Sequence, residues 1–120
     1  MPTYTSSPFR TDLQSYLFKG LNVDNVGSRN CIGAPASIYT LHISNGDAGN
    51  RYVAFWDVFD GATPTWDTQE CLIRIQATTD MTIYIDKGIP FPTAISLAAS
   101  QANDGTGSPV DLDIDLFATP

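Results

Sequence analysis

Charge is scarce in this chain, and basic charge scarcest of all. Only 16% of its 120 residues are Asp, Glu, Lys or Arg, and six of these are basic. Exposed helices usually carry many charged side chains, so the shortage weakens a helical reading, while the abundance of Thr, Ser and Ile favours strands. Arg10, Lys19, Arg29, Arg51, Arg74 and Lys87 are scattered, with no two closer than nine residues. No phosphate-neutralising cluster exists, and a net charge of −7 argues against nucleic acid or an anionic membrane as partner. No apolar run approaches the roughly 20 residues needed to span a bilayer. The opening MPTYTSSPFR has neither the charged nor the apolar region of a secretion signal, so the chain is expected to be made and to fold in a cytoplasm. Its two cysteines, Cys31 and Cys71, allow one disulfide and no metal spacing. In a reducing compartment buried free thiols are the expectation.

What is present is apolar alternation. At 13.0 kDa and 42% hydrophobic residues, the chain can bury one core and not two. Residues 1–12 hold Pro2, Pro8, Tyr4 and Phe9 without a period, and read as an extended N-terminal arm or a mobile terminus. Residues 13–120 read as a single domain. Its organising stretch is Ser37–Asp60, two long strands joined by the turn-rich Asn45–Asn50 and read as a central hairpin. In the first strand Tyr39, Leu41 and Ile43 alternate with Thr40, His42 and Ser44, giving one apolar face. In the second, Tyr52, Ala54, Trp56 and Val58 oppose Val53, Phe55 and Phe59, so both faces can be covered.

Before this stretch, Leu13–Val26 reads as strand on either side of Lys19-Gly20, and Gly27–Pro35 as a loop. After it, an isolated Trp66 sits in a Thr- and Pro-containing loop, where it plugs an end of the domain or meets a partner. Glu70–Ala77 points Cys71, Ile73 and Ile75 inward; Thr78–Asp80 turns; Met81–Asp86 points Met81, Ile83 and Ile85 inward. Together they read as a second hairpin. Lys87–Pro92 is expected to bend, since two close prolines would rob a central ladder of donors. Thr93–Ser100 is a strand of small residues, Gln101–Pro109 an exposed, mobile loop, and Val110–Leu116 a last strand with Val110, Leu112, Ile114 and Leu116 inward and Asp111, Asp113 and Asp115 outward. The fold class is therefore all-β: an antiparallel β-sandwich, jelly-roll or immunoglobulin-like, of about seven or eight strands.

Catalytic patterns are thin. His42, the single histidine, has no neighbouring nucleophile and reads as a surface or interface residue; Glu70 is the single glutamate, and no G-x-S-x-G elbow is present. No phosphate-cradling glycine loop or zinc spacing occurs. The three aspartates of the last strand, roughly 6–7 Å apart on one face, are too widely spaced to chelate a cation. Asn45–Asn50 lacks the bidentate Glu of a calcium loop. No enzyme, cofactor or metal is expected.

The order of segments carries a resemblance. Ser37–Gly46, the aromatic Tyr52–Asp60, Thr63-Pro64, Lys87–Phe91, the small-residue Ala94–Ala99, Gly105–Gly107 and the closing alternating strand resemble the small β-sandwich structural proteins of tailed bacteriophages. These include capsid decoration or cement proteins and head-fibre or tail-associated proteins. The resemblance covers about residues 33–117 and implies a virion protein on the capsid surface, made in the host cytoplasm. Its implied partners are the major capsid protein and further copies of itself, as dimer or trimer. As large aromatics and an arginine, Tyr4, Phe9 and Arg10 of the arm and Trp66 of the loop are the expected contact residues. The alternatives are a tail or head-fibre component, or a carbohydrate- or receptor-binding module built on an exposed platform of Trp56 and Trp66.

Overall fold

Period-two patterning becomes extended backbone almost everywhere. The computed structural model describes residues 3–10, 15–25, 29–58 and 66–120, with residues 4, 6–10, 15 and 29–31 described by backbone alone. Among the described residues the strands are β1 (Thr3–Arg10), β2 (Ser15–Leu21), β3 (Arg29–Ile32), β4 (Ala36–Asn45), β5 (Arg51–Trp56), β6 (Cys71–Ile75), β7 (Thr79–Phe91), β8 (Ile95–Ser100) and β9 (Leu112–Thr119). These residues contain no helix, and so none long and apolar enough to cross a membrane.

All pairings are antiparallel and fall into two sheets, β1-β2-β9-β4-β7 and β3-β8-β5-β6. From β2 onward the pairing is nested: β2 with β9, β3 with β8, β4 with β7, β5 with β6. The chain from β2 to β9 is thus one long antiparallel pair, closed at its far end by the adjacent β5 and β6 and folded so that every remaining pair of successive strands falls in different sheets.

That nesting overturns both expected hairpins. β4 and β5 lie in different sheets, and so do β6 and β7. The connections Asn45–Asn50 and Gln76–Thr78 are corners between layers. Alternation tells a strand which face to bury but not which strand to pair with. Here the choice is made by a polar knot at the corner. Asn45, 1% exposed, donates from Nδ2 to the carbonyls of Gly49 (3.1 Å) and Gln76 (2.9 Å). The Asp47 carboxylate accepts from the amides of Val110 (2.9 Å) and Asp111 (2.8 Å) and from Arg51 Nε (2.6 Å). Three inter-sheet connections are thereby tied together at one end of the molecule.

Between the sheets lies one apolar core. Phe18, Ile38, Leu41, Ile43, Phe91, Leu112, Ile114 and Leu116 of the first sheet meet Ile32, Val53, Phe55, Ile75, Ile95 and Leu97 of the second. Phe55 and Phe91 meet across the layers with centroids 6.4 Å apart. The expected inward faces of the Glu70–Ala77 and Met81–Asp86 strands hold: Ile75 is buried, and Cys71, Ile73, Met81, Ile83 and Ile85 pack against the core.

Five local expectations need correction. β2 runs straight through Lys19-Gly20. The expected loop at Gly27–Pro35 contains β3, a four-residue strand too short to show alternation and held by its pairing with β8. Tyr39 is only half buried, because a bulge between Ile38 and Thr40 resets the alternation of β4. Val110 precedes β9 and is 78% exposed, with its amide on the Asp47 carboxylate and not in a strand ladder. Finally, Lys87–Phe91 bends yet stays in β7: Gly88, at φ +74°, lies under the Tyr39 ring, and Pro90 is tolerated because β7 is an edge strand.

Residues 13 and 14, Val26, and Phe59 to Thr65, including Asp60 and Thr63-Pro64, lie outside the described residues.

Candidate functional site

The outer face of the four-stranded sheet is where the chain departs most from a plain two-sheet stack. β5 and β8 pair centrally, Ala54 opposite Ala98 and Trp56 opposite Ser96. Two alanines side by side leave a shallow hollow on that face. Into it the indoles settle: Ala54, Trp56 and Ala98 form a second buried cluster, with Val58 and Trp66 packed against it. Trp66 stands edge-on to Trp56, centroids 5.1 Å apart and rings at 86°, a favoured aromatic geometry. β8 and Val53–Trp56 of β5 are thereby buried on both faces, the double coverage expected of the second strand of Ser37–Asp60.

The chain leaving β5 is held firmly. Asp57 Oδ1 accepts from the amides of Thr93 (2.7 Å) and Ala94 (3.2 Å), and Ser96 Oγ donates to the Val58 carbonyl at 2.8 Å. From the opposite end of the molecule, the β8–β9 connection folds over the same face. It is tied to itself by Gln101 N on the Gly107 carbonyl and Gln101 Nε2 on the Ser108 carbonyl, and to Asn25 through Gly105 and Ser108. Gly105, at φ +88°, brings its backbone against the Trp66 indole where no Cβ would fit.

Where these two connections meet there is a broadly open depression of about 630 Å³ lined by Trp66, Asp67, Gln69, Leu72, Asn103 and Asp104. Its volume falls in the roughly 300–1,000 Å³ range of small-ligand sites. Among the described residues the lining combines an indole and a Leu with two carboxylates and two amides, and includes no cationic side chain. Gln69 Oε1 is buried without a hydrogen-bond partner, an arrangement that ordinarily costs about 1–3 kcal/mol. The Asp104 carboxyl is held below its ordinary range by the Thr106 side chain first and the Thr106 amide second, so it stays an acceptor at neutral pH. Its Oδ1 receives the Thr106 amide at 3.0 Å.

Of the residues expected to make contacts, Trp66 is half buried and walls this depression. Tyr4, Phe9 and Arg10 belong to β1, on the edge of the other sheet, with side chains outside those described. The structure therefore does not bring the four together. His42 lies on the outer face of the five-stranded sheet, its Nδ1 2.9 Å from Thr82 Oγ1. Neither His42 nor Glu70 lines the depression. Among the described residues no group of three or more His, Cys, Asp or Glu could hold a metal ion.

Gln69, Asn103 and Asp104 escaped the sequence reading. Asn103 and Asp104 looked like ordinary turn formers, and only the nested pairing places their loop opposite Trp66. Compared with models of known protein families and with curated proteins, the chain matches none.

Proposed function

We propose that this chain is a jelly-roll β-sandwich and a non-enzymatic structural protein of a bacteriophage virion, binding the outer capsid surface as a homo-oligomer and reinforcing the shell. The observation that carries the reading is the nested pairing of β2 with β9, β3 with β8, β4 with β7 and β5 with β6. Folding one long antiparallel pair into two four-stranded layers is the jelly-roll plan, which favours it over the immunoglobulin-like alternative; β1 is then an added edge strand. Jelly rolls recur in viral capsid and lectin domains, so the step from fold to role is one of analogy.

A surface feature supports contact by a flat face. Leu17 of β2, Phe117 of β9, Thr40 of β4 and Tyr84 of β7 lie in register across the outer face of the five-stranded sheet. Leu17 is 44% and Tyr84 79% exposed. An exposed row of this kind offers the aromatic and aliphatic anchors that interfaces use, against the major capsid protein or a second copy. Tyr4, Phe9 and Arg10 lie on β1, the edge strand of the same sheet, and are proposed as contacts from that edge, while Trp66 belongs to the opposite side. The acidic balance of −7 suits a surface that must not adhere to the genome.

The test is the copy number of the protein in purified virions, measured by quantitative mass spectrometry against the major shell subunit. A ratio near one per shell subunit, or a simple fraction of it, is the expected result. A trace ratio would move the protein to a fibre, tail or vertex, and complete absence would overturn the virion reading.

A further inference from the structure

We infer that the depression beside Trp66 is a binding site for a neutral saccharide. The inference does not depend on attachment to a capsid, because it rests on the chemistry of the lining alone. A sugar ring presents an apolar C–H face and a rim of hydroxyls. The site offers the complements of both: the Trp66 indole and Leu72, 38% exposed, for the face, and Asp67, Gln69, Asn103 and Asp104 for the rim. Hydroxyls are donors as well as acceptors, so they suit a lining dominated by carboxylate and amide oxygens. Gln69, half-buried, and Asn103, exposed, bring amide donors as well as acceptors to that rim.

The same lining discriminates against other ligand classes. Among the described residues, two carboxylates and no cationic side chain disfavour phosphates, sulfates and acidic sugars. Quaternary ammonium groups are enclosed by several aromatics, and among the described residues this site has one. The open shape admits an internal stretch of an oligosaccharide.

The site is also preorganised. Trp66 is fixed by its perpendicular packing on Trp56 and by the Gly105 backbone beside its pyrrole ring, and the Asn103-Asp104 turn is held by the Gly105 N to Ala102 O bond of 3.2 Å and the Asp104–Thr106 bond. Little ordering is left for the ligand to impose.

The experiment is saturation-transfer NMR on the purified full chain. Its probes are neutral oligosaccharides of glucose, galactose, mannose and N-acetylglucosamine, roughly three to six units long to suit the depression. Each is used at about 1 mM, where millimolar affinities register. A cationic chitosan oligomer serves as the charge control. The expected result is transfer to ring protons of at least one neutral oligomer, insensitive to salt. That transfer should fall about tenfold or more, the loss of one to two buried hydrogen bonds, in a Gln69→Ala/Asn103→Ala variant whose melting temperature is unchanged. Because Trp66→Ala also removes packing from Trp56, the polar double variant and Asp67→Asn are the decisive ones. Transfer from no neutral oligomer, transfer unaltered in both variants, or binding of chitosan alone that disappears with salt would each overturn the inference.

Discussion

Arg51 Nε donates to Asp47 Oδ2 at 2.6 Å, and the same carboxylate accepts the amides of Val110 and Asp111 from the far end of the chain. One side chain, 7% exposed, thus joins the β4–β5 corner to the start of β9. Replacing Asp47 by Ala leaves two amides and a guanidinium without their acceptor in a largely dry corner. We predict a loss of about 3 kcal/mol, or about 10 °C in melting temperature for a domain of this size, measured by urea and thermal unfolding. A change below about 1 kcal/mol would mean that water replaces the carboxylate at no cost.

Acid stability should hinge on the same residue. Burial raises the Asp47 carboxyl, but the Val110 amide, Arg51 and the Asp111 amide outweigh it, and its pKa ends below the ordinary carboxylate value. A depressed folded-state pKa contributes stability that is present above the unfolded value of about 3.9 and is lost as pH falls below it toward the folded value. Unfolding free energy measured from neutral pH down to about pH 2.5 should therefore drop in the wild type below about pH 4. In Asp47→Asn, lower throughout, that limb should be visibly flatter. Parallel acid limbs would assign the effect to other carboxylates.

The sequence made faces legible and partners obscure. Met81, Ile83 and Ile85, or Leu112, Ile114 and Leu116, announce an inward face because side chains on a strand repeat every two residues, a purely local property. The choice between a hairpin and an inter-sheet corner at Asn45–Asn50 is not local. It depends on Asp47 meeting amides more than sixty residues away. The candidate site suffers from the same distance. Trp66 stood out as an isolated indole, but Gln69, Asn103 and Asp104 gain meaning only when nested pairing brings the β5–β6 and β8–β9 connections over one face. Tyr39 is a smaller case: one bulged residue in β4 moved it out of the core without any mark in the pattern.

Gly105 should tolerate no side chain. A Cβ there would run into the Trp66 ring, and φ of +88° is already costly for any L-residue. Gly105→Ala is expected to lose about 1–3 kcal/mol and to redshift tryptophan emission as the indole is displaced toward water. Thermal unfolding and emission spectra read both effects together. Unchanged emission with lowered stability would show that the loop yields and the indole stays.

Cys31 and Cys71 should remain reduced even in an oxidising buffer. Their strands, β3 and β6, are opposite edges of the four-stranded sheet. Three interstrand steps put them roughly 14 Å apart, whereas a disulfide needs Cα atoms within about 7 Å. Cys71 is a free, half-buried thiol, and burial raises its pKa. A raised folded-state pKa favours the protonated thiol, so this contribution to stability is present below the unfolded value of about 8.5 and is lost as pH climbs through the folded value. Since the thiolate is the nucleophile, Cys71 in a Cys31→Ser variant should react with Ellman's reagent at pH 8 at least about tenfold more slowly than free cysteine, and at the free rate once urea unfolds the chain. A fast native reaction would place β6 among the locally opening edges of the fold, and an intramolecular disulfide in the wild type would contradict the strand order itself.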